Sequence, residues 1–279
     1  MAENEEQRVH LSKAELGGNE NMYRLPGLDR YALLPGDHKR ISLMALQWDR
    51  AQEYDLKRGF RAATGLYKGG AISAFSTGMG GPSAEDVILG IAACGVDTMI
   101  RVGTTGALQD GMELGDVVIN DACIRMDGTS ADYIRPEYPA AASPVVTLAL
   151  IQAAERLGVR YHVGVGYTAS SFYAGQFRPS FNGYKPSWME KALDDLAAAG
   201  VLNSEMEGAT LFTLARIFGL RAGMCACVVA QRRTGDYGGT ENIRNACLVG
   251  AEAIHILQEW DRLCAEHKQL YFTPDLLMR

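Results

Sequence analysis

No run of apolar residues in this 279-residue chain approaches the roughly 18 needed to cross a membrane. The opening stretch, MAENEEQRVH, is polar and acidic, so neither a signal peptide nor an anchor is expected there. Basic excess is missing too: 27 Lys and Arg stand against 33 Asp and Glu, a formal charge of −6. A general nucleic-acid binder needs a basic face to displace counterions, so that class is disfavoured and any anion site must be local. The six cysteines contain no Cys-x-x-Cys pair and lie in or beside apolar stretches, as expected of reduced thiols in a cytoplasmic protein without a metal site. No linker rich in Pro, Gly or Ser divides the chain and no repeat recurs, so one domain over 1–279 is expected. Within it, 1–29 reads as an N-terminal arm and 268–279 as a C-terminal extension.

What is present is an alternation of β-branched apolar runs with segments of helical period, the pattern of an α/β sheet covered on both faces. Strands are expected at 30–34, 71–77, 97–102, 115–125, 161–169 and 222–230. Helices are expected at 38–48, 82–94, 144–157, 186–199, 206–218 and 241–266. Three strands lead into glycine-bearing turns, LLPGDHKR, FSTGMGGPS and RVGTTG. In open α/β sheets the crevice beyond the carboxyl ends of the strands binds ligands, so these turns are expected to share one site.

None of the turns is a nucleotide signature: GTTGAL lacks the P-loop lysine and GMGGPS lacks G-x-G-x-x-G spacing. The arginines carry more information. Asp37 can cap the helix after Gly36, which puts Arg40 in the first turn, beside the positive dipole end, where a bound anion would offset the mismatch. Arg101 ends a buried strand, a poor place for a permanent charge without an anionic partner. With Thr104 and the backbone N–H groups of Gly36 and Gly103, the two guanidiniums make a cup suited to a tetrahedral oxyanion. The alternative is that both arginines simply pair with carboxylates such as Asp37 or Glu85.

Taken in order, LLPGDHKR, STGMGGPS, RVGTTGAL, RMDGTSADY, FYAGQFR and NSEMEGATL resemble the motifs of the nucleoside phosphorylases of the uridine phosphorylase type, from about residue 30 to about 262. The resemblance implies a three-layer α/β/α fold whose central mixed sheet partly closes as a barrel. It implies dimers or hexamers with sites shared between subunits, substrates that are a nucleoside and phosphate, and neither nucleic acid nor membrane as partner. Inorganic phosphate would be held by Gly36, Arg40, Arg101 and Thr104, with Arg58 arriving from a neighbouring subunit. No cofactor is implied beyond phosphate as co-substrate. Where bacterial relatives carry a glutamate near a monovalent cation this chain has Gly59, which leaves only Met79 and Ser83 to offer oxygens.

In NSEMEG, Ser204 and Glu207 have the spacing of a capping box. Glu205 has no such explanation, and two carboxylates two residues apart can address neighbouring hydroxyls. The resemblance assigns Glu207 and Met206 to the ribose, with Glu205 beside them, and His10 to the 5′-hydroxyl of a neighbouring site. Phe172, Gln176 and Arg178 supply an aromatic ring, a carboxamide and a guanidinium complementary to the O2, N3–H and O4 edge of uracil. Arg232 matches a second arginine near O4, although the adjacent Arg233 leaves that assignment open by one residue. Purine-specific relatives carry an aspartate after this strand, whereas this chain has Ala230, Gln231 and Arg232.

The activity implied is phosphorolysis of uridine to uracil and ribose 1-phosphate. Arg178 and Gln176 would stabilise the departing base, and Arg101 would position phosphate under C1′. A nucleoside hydrolase and a non-catalytic nucleoside-binding protein are the rival readings.

Overall fold

Alternate residues of the short strand β1 (Tyr31–Pro35) enter two different apolar cores. Tyr31 and Leu33 pack with α1 (Lys39–Ala45), α4 (Pro144–Leu157) and α7 (Ile243–Glu266). Ala32 and Leu34 pack with α2 (Gly81–Ala93) and α6 (Gly208–Ile217) on the other side. A strand buried on both faces requires a helical layer on each, and the three-layer α/β/α arrangement follows.

The structure is a computed structural model and describes residues 22–278. Ten strands form one mixed sheet. β1 lies parallel to β4 (Gly70–Phe75) on one side and to β5 (Thr98–Ala107) on the other, and β5 is parallel to β10 (Arg221–Gln231). β10 is antiparallel to β6 (Val117–Met126), which runs parallel to β8 (Tyr161–Ala169). The short strand β9 (Asn203–Glu205) then bridges β8 and β5, so that β5, β10, β6, β8 and β9 close into a barrel. Beyond β4 the sheet continues open and antiparallel through β3 (Arg61–Tyr67) to β2 (Arg50–Asp55). The two-residue β7 (Ala140–Ala141) and the short helices α3 (Gly128–Tyr133) and α5 (Ala192–Ala198) complete the described elements.

Several expectations need correction. β5 does not end at 102 in a turn; it runs through Gly103 and Gly106 to Ala107, paired with β10 throughout. β2 and β3 were not expected as strands, because β2 is polar and largely exposed and β3 is rich in Ala and Gly. Lys68 (φ 48°) and Gly69 (φ 78°) connect β3 to β4, both with the positive φ of a tight hairpin turn. Of the helix expected over 186–199 only Ala192–Ala198 is α-helical, since Pro186 is extended and Ser187–Met189 forms one 3₁₀ turn. The C-terminal extension packs on its own chain: the Phe272 ring stacks on Trp260 of α7 at 3.9 Å, and Leu276 is buried.

At the amino ends of β1, β5 and β10, opposite the glycine turns, a polar clamp fastens α7 to the sheet. Arg221 holds Asp261 with two hydrogen bonds of 2.8 and 2.6 Å, Tyr31 Oη donates to the same carboxylate at 2.5 Å, and Arg221 Nε donates to Thr98. Burial works against the Asp261 charge, but Arg221 and Tyr31 outweigh it and hold the carboxyl below its ordinary range. A carboxyl with a lowered folded pKa stabilises above its unfolded pKa, about 3.9, and loses that contribution as pH falls through the folded value. Asp261→Asn is therefore expected to cost about 2 kcal/mol of unfolding free energy at pH 7. Urea melts should show a smaller difference from the parent at pH 3; an equal difference at both values would contradict the clamp.

Candidate active site

The turn after β1 begins with Gly36, whose carbonyl accepts from Gly78 N–H at 3.0 Å. A Cβ at Gly36 would sit 3.1 Å from that Gly78 carbonyl and 3.9 Å from Arg101 Nη1, so glycine lets the two turns and the arginine converge. Asp37 Oδ1 accepts from Lys39 N–H at 2.9 Å, starting α1 and placing Arg40 in its first turn. Arg40 has no carboxylate partner among the described residues. It donates to Val102 O at 3.3 Å and Thr104 Oγ1 at 3.2 Å, and burial together with the neighbouring Arg101 charge pulls its pKa down.

Arg101 is 6% exposed and its guanidinium is used edge by edge. Nε donates to Glu205 Oε2 at 3.0 Å, and Nη2 pairs with Glu207. Nη1, on the side of Gly36, is buried with no hydrogen-bond partner among the described residues. Burial opposes the Arg101 charge, while Glu207 and Glu205 together hold its pKa above the ordinary value. Carboxylates therefore do meet Arg101, as one reading of the sequence had it, but they are Glu205 and Glu207. One edge is left over, and Glu85 instead accepts from Tyr133 Oη.

The capping box is not formed. Ser204 lies within β9 with its hydroxyl unpartnered, and Glu207, the residue before α6, makes no side-chain cap. Glu205 caps the helix instead, accepting from Glu207 N–H at 2.8 Å and from Gly208 N–H at 2.9 Å on each oxygen. It also accepts from Thr168 Oγ1 at 2.5 Å, so every acceptor position of Glu205 that could meet a ribose hydroxyl is engaged within the fold. Glu207 accepts from Gly80 N–H at 2.5 Å, at the start of α2. Burial, reinforced by Glu205 and opposed by Arg101, raises the Glu207 pKa. Met206, between them, is half-buried.

A second cationic cluster follows β8 and β10. Arg178 lies over the Phe172 ring at 4.6 Å and, among the described residues, has no carboxylate partner and no hydrogen-bond partner for its buried Nε. Arg232 donates to Gln176 Oε1 at 3.2 Å and to Gln176 O at 2.7 Å. Burial and the Arg178 charge bring the Arg232 pKa down to about 10. Arg233 instead pairs with Asp110 and Asp194, so of the two adjacent arginines it is Arg232 that turns toward Gln176. The Arg232 stem crosses β5 at Gly106, where a Cβ would lie 2.7 Å from its Cγ and Cδ.

Comparison with known families matches residues 30–258 to the phosphorylase superfamily. The chain belongs to the phosphorylase superfamily. It is 53% identical over 232 residues to a uridine phosphorylase of Thermococcus kodakarensis, covering 83% of each chain. Over 214 residues it is 36% identical to the uridine phosphorylases of Salmonella typhimurium and Escherichia coli, covering 76% of this chain and 85% of theirs.

Arg58 (φ 61°) is exposed and reaches Asp86 of its own chain at 3.4 Å, across a cleft of about 400 Å3 that Gly36, His38 and Ser83 also line. Ser83 Oγ donates to Thr77 O at 2.5 Å, and Met79 is exposed. His10 lies outside the described residues. No cluster of three or more metal-ligating side chains occurs among the described residues, and no described helix is long and apolar enough to cross a membrane.

Two contributors were not singled out from the sequence: Thr168, which only the strand register brings opposite Glu205, and Gly106, which gives way to Arg232. Gly106→Ala should displace the Arg232 stem and lower kcat/KM for the nucleoside by about 10- to 100-fold while leaving the phosphate KM unchanged. Initial rates with each substrate varied in turn check this; an unchanged nucleoside term would mean Arg232 does not serve the base.

Proposed function

We propose that this protein catalyses the reversible phosphorolysis of uridine to uracil and ribose 1-phosphate, a pentosyl transfer of pyrimidine nucleoside salvage, with inorganic phosphate as co-substrate and no cofactor. One observation carries the reading: the buried guanidinium of Arg101 and the half-buried one of Arg178 each keep a buried donor nitrogen, Nη1 and Nε respectively, without a partner among the described residues, with Arg40 beside one and Gln176 and Arg232 beside the other. Burying a charged donor without a partner is costly, so both clusters are built for ligands that accept hydrogen bonds. The uridine phosphorylases among its relatives supply the substrate class.

Cleaving the bond between ribose and uracil drives negative charge into the base and positive charge into the sugar. Gln176 Nε2 meets O2, the remaining lone pair of Gln176 Oε1 meets N3–H, and Arg178 with Arg232 stabilises the charge that grows on O4. Phosphate, held by Arg40, Arg101, Thr104 and the Gly36 turn, faces C1′, stabilises the oxocarbenium-like sugar and bonds to it as uracil leaves. Catalysis is then positioning and charge stabilisation without a side-chain nucleophile. Glu207, already beside Arg101, takes the ribose 2′- and 3′-hydroxyls, with Met206 against the sugar.

Arg58, exposed at the rim of the cleft that Gly36 also lines, would reach the site of a second copy in a homodimer or homohexamer. The resemblance would likewise give His10 to the 5′-hydroxyl of that neighbouring site. Without the purine-type aspartate after β10, and with Arg232 there instead, uridine should turn over and inosine hardly at all. Arg178→Met should lower kcat by about 100- to 1,000-fold. Uridine incubated with and without phosphate tests the reaction itself. Uracil with ribose 1-phosphate only in phosphate is the expected result; free ribose would indicate hydrolysis, and binding without turnover a non-catalytic role.

A further inference from the structure

The Arg101 edge that faces Gly36 is presented only if the whole guanidinium is held in one rotation, and its Nε partner is Glu205. Glu205 is itself held from behind. Thr168 stands opposite it in the parallel β8–β9 register and donates to Oε1 at 2.5 Å. The Thr168 hydroxyl oxygen accepts from Ala209 N–H at 2.9 Å, in the first turn of α6, which turns its proton toward Glu205. Thr168 is fully buried and Glu205 is 3% exposed, so neither can exchange these partners for water.

We infer that Thr168 and Glu205 are positioning residues, a buried relay across three neighbouring barrel strands that fixes Arg101 with Nη1 toward phosphate. Gly208 belongs to the same device: a Cβ there would meet Glu205 Oε1 at 3.0 Å and Cys123 Sγ at 2.9 Å, so glycine is what lets the carboxylate rest on the helix start. The relay separates two jobs that the sequence left together, since Glu205 orients the arginine while Glu207 remains to answer the sugar. It predicts a defect in phosphate handling rather than in base handling. The inference rests on the proposed phosphate site and deepens it.

Thr168→Val removes the hydroxyl at nearly constant volume. Calorimetric titration with orthophosphate should show binding weakened about 10-fold relative to the parent, with the phosphate KM raised by the same factor and the uridine KM unchanged. Thr168→Ser, which keeps the donor, should restore both. Equal phosphate binding by Thr168→Val and the parent would overturn the relay. A parent that binds no phosphate and cleaves uridine without it would instead overturn the proposed function.

A second measurement serves if the valine variant does not fold or the phosphate site is absent. In the nitrogen–proton spectrum of the parent protein, the Arg101 Nε–H resonance, assigned by its loss in Arg101→Lys, should be resolved and slow to exchange with solvent. Rapid exchange at that position would show an arginine that is not held, and the relay would be excluded.

Discussion

A permanent charge buried at the centre of the sheet, with two of its three edges neutralised, is the constraint around which the rest of this structure is arranged. Arg101 cannot be hydrated where it sits, and an unpaired buried cation would cost several kcal/mol. Glu205 and Glu207 answer Nε and Nη2; the N–H groups at the positive end of α6 answer Glu205 in turn, and Gly80 N–H at the start of α2 answers Glu207. The one edge left unanswered coincides with the turn after β1 and with Arg40, a second cation that also lacks a carboxylate. Two neighbouring guanidiniums with a donor to spare repel each other, and an anion bound between them would offset that repulsion.

The barrel closure is what makes this possible. β9 is three residues long, yet it wedges between β5 and β8 and so brings Arg101, Glu205 and Thr168 onto adjacent strands. Beneath it, Asn203 and Asn120 exchange hydrogen bonds of 2.7 and 3.1 Å, and Asn203 Nδ2 donates to Thr105. A polar network satisfied at each of these contacts rigidifies the wedge. The same closure carries β5 past Gly103 to Gly106, where the Arg232 stem passes over and joins Gln176 in the base cluster. One strand, β5, thus carries Arg101 and Thr104 of the proposed phosphate cluster and, at Gly106, bears the Arg232 stem of the proposed base cluster.

Much of this was legible in the sequence, for identifiable reasons. β-branched runs and helical periods placed the central strands and the long helices, because burial on both faces leaves an apolar pattern with little ambiguity. Arg40 and Arg101 stood out because a charge in an apolar context demands a partner. The edge strands β2 and β3 were hidden, since an exposed edge carries polar residues and an Ala- and Gly-rich strand has no alternation to read. The roles of Glu205 and Glu207 were hidden too: spacing alone suggested a capping box for Ser204 and Glu207, whereas tertiary pairing with Arg101 and Gly80 decided otherwise. Gly103 and Gly106 read as a turn because glycine usually marks one; here they give way to the Arg101 guanidinium and the Arg232 stem in a continuing strand. Arg125 in RMDGTSADY was silent for a similar reason, as its role is to gather the carbonyls of Ser130, Ile134, Arg135 and Tyr138 behind α3.

The central claim is that the unanswered edge of Arg101 exists to receive orthophosphate. A crystal structure of the protein grown with that ion tests it most directly. The account predicts a tetrahedral anion within hydrogen-bonding distance of Arg101 Nη1, Arg40 and Thr104, with Glu205 still on Nε. An anion bound elsewhere, or Nη1 turned onto a carboxylate while this cup holds only water, would contradict it.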